Sequence, residues 1–87
     1  MSFLNKEKFI EDLSPSVYRI TLIGGKKCYI ENVLRIIEFS DSKMVFATKR
    51  GKLTICGKNL SIENYTFSDV LIDGVVTSIL EGDDDVR

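Results

Sequence analysis

The chain has no histidine and no tryptophan. Without imidazole, a general base working at neutral pH must be a carboxylate or a strongly shifted Lys or Cys. A zinc site would need both cysteines plus carboxylates, which is an uncommon ligand set. Those two cysteines, Cys28 and Cys56, stand far apart and form no Cys-x-x-Cys pair. They read as small, buried or half-buried thiols. Long apolar runs are also missing: no window approaches the ~18 consecutive apolar residues that cross a bilayer. The N-terminus, Met1 to Lys8, carries an acid and has no long apolar stretch, so it does not read as a secretory signal. The expectation is a chain that stays in the cytoplasm. Nor is there an excess of one charge. Twelve Lys and Arg stand against 13 Asp and Glu, a net charge of -1. That argues against a generally basic nucleic-acid binder. It also means weak colloidal repulsion, which favours association.

What is present fits one small domain. At 87 residues a chain buries only roughly 60–65% of its unfolded surface and is marginal alone. Residues 1–14 read as a short amphipathic helix. Phe3, Phe9, Ile10 and Leu13 form its apolar stripe, and Lys6, Glu7, Lys8, Glu11 and Asp12 occupy the other faces. Pro15, the only proline, ends it. Such a helix is marginal in isolation and must dock on the sheet or on a partner. Its polar face is not rich in Lys or Arg, which makes it a poor free-standing membrane anchor. Phe3, Phe9, Ile10 and Leu13 are therefore candidate partner-binding residues.

Residues 17–81 read as a single β domain. Short alternating runs recur roughly every eight to ten residues, with turn signals between them, as in small sandwiches and barrels. Gly24-Gly25, Asp41-Ser42 and Lys49-Arg50-Gly51-Lys52 mark turns, and Gly57-Lys58 and Gly74 mark further connections. Val33–Ser40 is apolar on both faces, which suggests a central strand covered on two sides. Short connections join antiparallel neighbours, because parallel pairs need long crossovers. The expected fold is all-β: a small antiparallel meander of about seven to eight short strands curled into a sandwich- or barrel-like roll, preceded by one short helix. A short β-solenoid is the alternative. Residues 82–87 form an acidic tail without expected structure.

Few residues are free for chemistry. Asp41, Asp69 and Asp73 each adjoin Gly or Ser at a turn, where Asp caps backbone N–H groups. No serine lies in a Gly-x-Ser-x-Gly elbow. Gly24-Gly25-Lys26-Lys27 lacks the spacing of a phosphate loop and no helix follows it. No catalytic, cofactor-binding or metal-ligating residue is therefore expected, and enzyme activity is not expected. Between Ser42 and Ile62 lie Lys43, Lys49, Arg50, Lys52 and Lys58 without an acid. Lys49, Arg50, Lys52 and Lys58 are a candidate basic surface. With Tyr29, Phe46 and Tyr65 as stacking groups, a small β-barrel could bind single-stranded nucleic acid there. The favoured reading is lysines at turn tips and edges that prevent edge-to-edge aggregation, so no nucleic-acid partner is expected.

An ordered set of segments carries a further signal. They are Tyr18-Arg19-Ile20-Thr21-Leu22-Ile23-Gly24, Tyr29-Ile30-Glu31-Asn32, Ile36-Ile37-Glu38-Phe39-Ser40, residues 51–62 from Gly51-Lys52-Leu53 to Leu60-Ser61-Ile62, and Ile72-Asp73-Gly74-Val75-Val76-Thr77-Ser78-Ile79. In order and spacing the chain resembles the YabP/YqfC family of sporulation proteins over about residues 15–80, and the YqfC branch more than the YabP branch. The resemblance implies a protein of the mother cell of an endospore-forming bacterium, acting during engulfment and coat or cortex assembly. It implies a membrane-protein partner of the YqfD type, as the YabP branch pairs with YabQ, and a place at the forespore outer membrane. It brings no catalytic residues. Together with the marginal domain size, it leads to the expectation of a non-enzymatic assembly module, a homo-oligomer through its sheet face or edge.

Overall fold

The structure is a computed structural model that describes residues 17–82. The helix expected over residues 1–14, with Phe3, Phe9, Ile10 and Leu13, lies outside the described residues, as does the tail from 83 onward. Six strands follow in order: β1 (Arg19–Ile23), β2 (Lys27–Glu31), β3 (Arg35–Phe39), β4 (Lys43–Thr48), β5 (Gly51–Thr66) and β6 (Asp69–Gly82). All neighbours pair antiparallel in one sheet of order β1-β2-β6-β5-β4-β3. The all-β reading and the antiparallel pairing are as expected, and antiparallel pairing rules out the parallel coils of a solenoid.

Several expectations need correction. The strand count is six, because β5 runs on through Gly57-Lys58 and β6 through Gly74. Those glycines sit at register shifts inside the β5–β6 ladder, not at turns. A bulge and a turn share the same residue types, so sequence alone confuses them. Strand β3 is an edge, not a central strand, and Ile37 falls at its bulge. The meander holds only for β3 to β6; the β1–β2 hairpin docks on the far side of β6. Finally, β1 and β3 do not pair, so the sheet is open instead of closing as a barrel. Gly82, placed in the tail from sequence, is the last residue of β6 and pairs with Lys52.

The long β5–β6 hairpin bends where its bulges cluster, since bulges kink a strand and raise its twist. Asn59 takes a left-handed conformation there (φ 55°) and Gly74 a φ of 130°. The bend divides the sheet into two halves. In one, β1, β2 and the first part of β6 meet the end of β5. In the other, β3 and β4 meet the start of β5 and the end of β6. Cys28, Ile30, Val70 and Ile72 of the first half form one cluster with Met44, Phe46, Leu53 and Ile55 of the second. All eight are fully buried. An unbent sheet of this size would leave its apolar face in water, so the inner faces of both halves turn toward the same core. Each large side chain of this kind stabilises the fold by about 1.5–3 kcal/mol on burial. Loop hydrogen bonds fasten the bend: Leu60 N–H donates to the Asp41 carbonyl at 2.9 Å and Gly57 N–H to that of Ser42 at 3.0 Å.

Candidate interaction surface

Residues paired across an antiparallel ladder share a face, so the register assigns the charged side chains at paired positions to one face or the other. Lys52 is in register with Ala47, and Ala47 with Arg35. Lys43 is in register with Cys56, and Lys58 with Val75. Arg35, Lys43, Lys52 and Lys58 therefore share the outer face of the second half. All four are exposed, and Glu38 is the acid among them. Lys52 and Lys58 are six residues apart, about 20 Å along the strand.

Of the four basic residues proposed from sequence, the structure thus unites Lys52 and Lys58. Lys49 and Arg50 sit instead at the β4–β5 turn, where Thr48 Oγ1 accepts from Arg50 N–H at 3.1 Å and donates to the Gly51 carbonyl at 2.9 Å. Arg50 Nε is 3.2 Å from Glu81 Oε2, so its charge is matched within the chain. Arg35 belongs to the basic face although sequence reasoning did not include it. Only the pairing of β3 with β4 brings it there. The proposed stacking aromatics do not accompany this face. Phe46 is fully buried in the core, and Tyr29 and Tyr65 belong to the other half.

The outer face of the first half has the opposite character. It carries Glu31, Asp69 and Asp73 around Arg19 and Lys27 by register, and Glu63, at a bulge of β5, joins them through Lys27. Lys27 Nζ donates to Glu63 and stands 3.6 Å from Asp73 Oδ1. The hydrogen bond to Glu63 is the main reason its pKa is raised, against a smaller opposing effect of desolvation. Arg19 Nε lies 3.8 Å from Glu31. The Tyr29 hydroxyl donates to Asp69 Oδ2 at 3.1 Å, and this bond raises the tyrosine pKa. Asp69 and Asp73, expected from sequence to cap backbone N–H groups at turns, are engaged in these side-chain contacts instead, and Asp73 lies inside β6.

At the end of the β5–β6 hairpin, Tyr29, Asn64, Thr66, Phe67, Asp69 and Leu71 line a shallow concavity of about 310 Å³. Its rim is Phe67, which is 94% exposed and left-handed at φ 58°. A bulky side chain in that region is a genuine outlier. Sequence reasoning missed Phe67; the available signal was its place between two alternating runs, at a two-residue turn. Other apolar side chains reach solvent on the edge strands, including Leu22 on β1 and Phe39 on β3, each 57% exposed. Among the described residues, no three His, Cys, Asp or Glu side chains converge as metal ligands. No helix among them is long and apolar enough to cross a membrane.

The YabP family model matches residues 14–83, most of the chain and all of the described sheet. The chain belongs to the YabP family. It is similar to the uncharacterized protein YqfC of Bacillus subtilis (strain 168), with 31% identity over 65 residues, covering 75% of this chain and 70% of that protein. That similarity agrees with the YqfC branch. No solved structure matches. Membership of the family implies a sporulation-related protein.

Proposed function

We propose that this YabP-family protein is a non-enzymatic assembly module of endospore formation. It works in the mother cell at the forespore outer membrane, during engulfment and coat or cortex assembly, with a membrane protein of the YqfD type as partner. Phe67 carries the reading. An aromatic ring held out in water at the tip of a hairpin contributes almost no core burial. Its left-handed backbone costs roughly 1–2 kcal/mol. The two-residue turn between Thr66 and Asp69 calls for a positive φ at this position, and Gly or Asn would supply it at less cost, so the fold itself does not call for an exposed ring here. The exposed apolar side chains of β1 and β3 support the same reading, because unpaired sheet edges are templates for association.

The test is affinity co-purification of the tagged full chain from detergent-solubilised sporulating cells. The expected result is recovery of a membrane protein of the YqfD type, reduced when Phe67 is replaced by Asn. Recovery of no membrane protein, or equal recovery with both chains, would count against this function.

A further inference from the structure

We infer that the outer faces of the two halves of the sheet are complementary docking surfaces for a second copy of this chain. This inference rests on the assembly reading and names one of its partners.

The near-zero net charge of the sequence hides a segregation. Arg35, Lys43, Lys52 and Lys58 stand with one acid, Glu38, on one outer face. Glu31, Asp69 and Asp73 stand with Arg19 and Lys27 on the other, and Glu63 joins them through its contact with Lys27. Arg35, Lys43, Lys52 and Lys58 make no ion pair among the described residues. The acids are only partly matched, since a single lysine serves both Glu63 and Asp73.

Apolar groups run between the charges on both faces. Leu80, in register with Thr54, and Val75, in register with Lys58, are exposed on the basic side. Exposed Ile23 and half-buried Leu71 lie on the acidic side, flanking Lys27 and Tyr29. An apolar centre with a charged rim is the usual anatomy of a protein interface.

Because the inner sides of both halves turn toward one core, their outer sides point away from each other. The basic face of one copy therefore meets the acidic face of the next. Such a head-to-tail contact leaves one face of each kind free, so it can repeat. Opposed patches of like sign would repel, and this fixes the pairing as basic on acidic.

The test is sedimentation velocity on the full chain across concentration and salt. The expected mass rises above that of the monomer at about 0.05 M salt and falls back at about 0.5 M, where charges more than a few ångströms apart are screened. Lys52→Glu with Lys58→Glu should weaken association about ten-fold or more, and so should Glu63→Lys with Asp73→Lys. Mixing the two reversed proteins should restore association, because one then carries two acidic faces and the other two basic ones. If the second protein melts early through repulsion with Lys27, Glu63→Gln with Asp73→Asn tests the same face without added lysines.

A monomer under all conditions, salt-independent association or no restoration on mixing would overturn the inference. So would low-salt retention on an oligonucleotide column that is lost with Lys52→Glu and Lys58→Glu, while self-association is absent. A monomer that still recovers its membrane partner would remove this inference and leave the assembly function standing. Self-association without a membrane partner would do the reverse.

Discussion

Gly74 of β6 lies so close to Asn59 of β5 that a Cβ added to it would sit 2.6 Å from the Asn59 carbonyl oxygen. The neighbour is backbone, so it cannot swing aside. The φ of 130° at Gly74 is also one that L side chains rarely adopt. Both facts arise from the bend that lets the two halves share a core. Gly74→Ala is therefore expected to cost more than about 2 kcal/mol, a large share of the stability of a small domain. Gly25→Ala, at a φ of 70° in open space, should cost only about 1–2 kcal/mol. Thermal or urea melts of the two variants check this. A Gly74→Ala protein as stable as Gly25→Ala would mean that the bend is not where the strands are forced together.

Alkaline pH should destabilise the fold. Tyr18, Lys27, Cys28 and Tyr29 all have raised pKa values. The causes are burial at Tyr18 and Cys28, and hydrogen bonds to Glu63 and Asp69 at Lys27 and Tyr29. A group whose folded pKa is raised holds more protons in the folded than in the unfolded state through that window. Its contribution is complete below the unfolded pKa and is lost as pH rises toward the folded one. The unfolded values begin near about 8.5 for Cys and about 10 for Tyr and Lys. The thermal midpoint should accordingly fall between about pH 8.5 and 11, and fall less steeply in Tyr29→Phe. A midpoint that rises over that range contradicts the assigned contacts.

Fold class and strand direction were legible in the sequence because period-2 alternation and short connections report local physics. Gly24-Gly25 and Lys49-Arg50 mark real turns for the same reason, with Gly51 and Lys52 already in β5. What stayed hidden is non-local. Gly57 and Gly74 look like turn residues, yet each is needed because another backbone passes close to it. Strand β3 looks central because Leu34 and Ile37 are apolar, yet both are exposed at an edge. Its place depends on β1–β2 docking beside β6, which no local pattern encodes. The basic face was half legible: Lys52 and Lys58 share a strand and a parity, whereas Arg35 joins them only through the β3–β4–β5 register.

The two thiols should differ sharply in reactivity. Cys28 is fully buried in the core, and burial pushes its pKa up. Cys56 is half-buried on the outer face of β5, in register with Lys43 and Ser78. Thiolate is the reactive form, so a buried thiol with a raised pKa is slow. A colorimetric disulfide reagent at neutral pH should titrate one thiol in the native protein and the second only after denaturant is added. Cys56→Ser should abolish the first phase. Two equally fast thiols in the folded protein would show that the core around Cys28 opens readily.

Phe67→Asn separates stability from partner binding. At 94% exposure the ring offers the fold little burial to lose, while its φ of 58° is one that Asn tolerates far better. Relief of that strain should raise stability by about 0.5–1 kcal/mol, or roughly 2–8 °C in midpoint for a domain this small. The same substitution should reduce recovery of the membrane partner, because it removes the apolar ring from the hairpin tip. Stability and recovery are thus expected to move in opposite directions, which a purely structural role for Phe67 does not allow. A drop in midpoint would show that the ring packs against the Tyr29 and Leu71 side of the concavity. Phe67 would then be a fold residue, and the partner surface would have to be sought at the β1 and β3 edges.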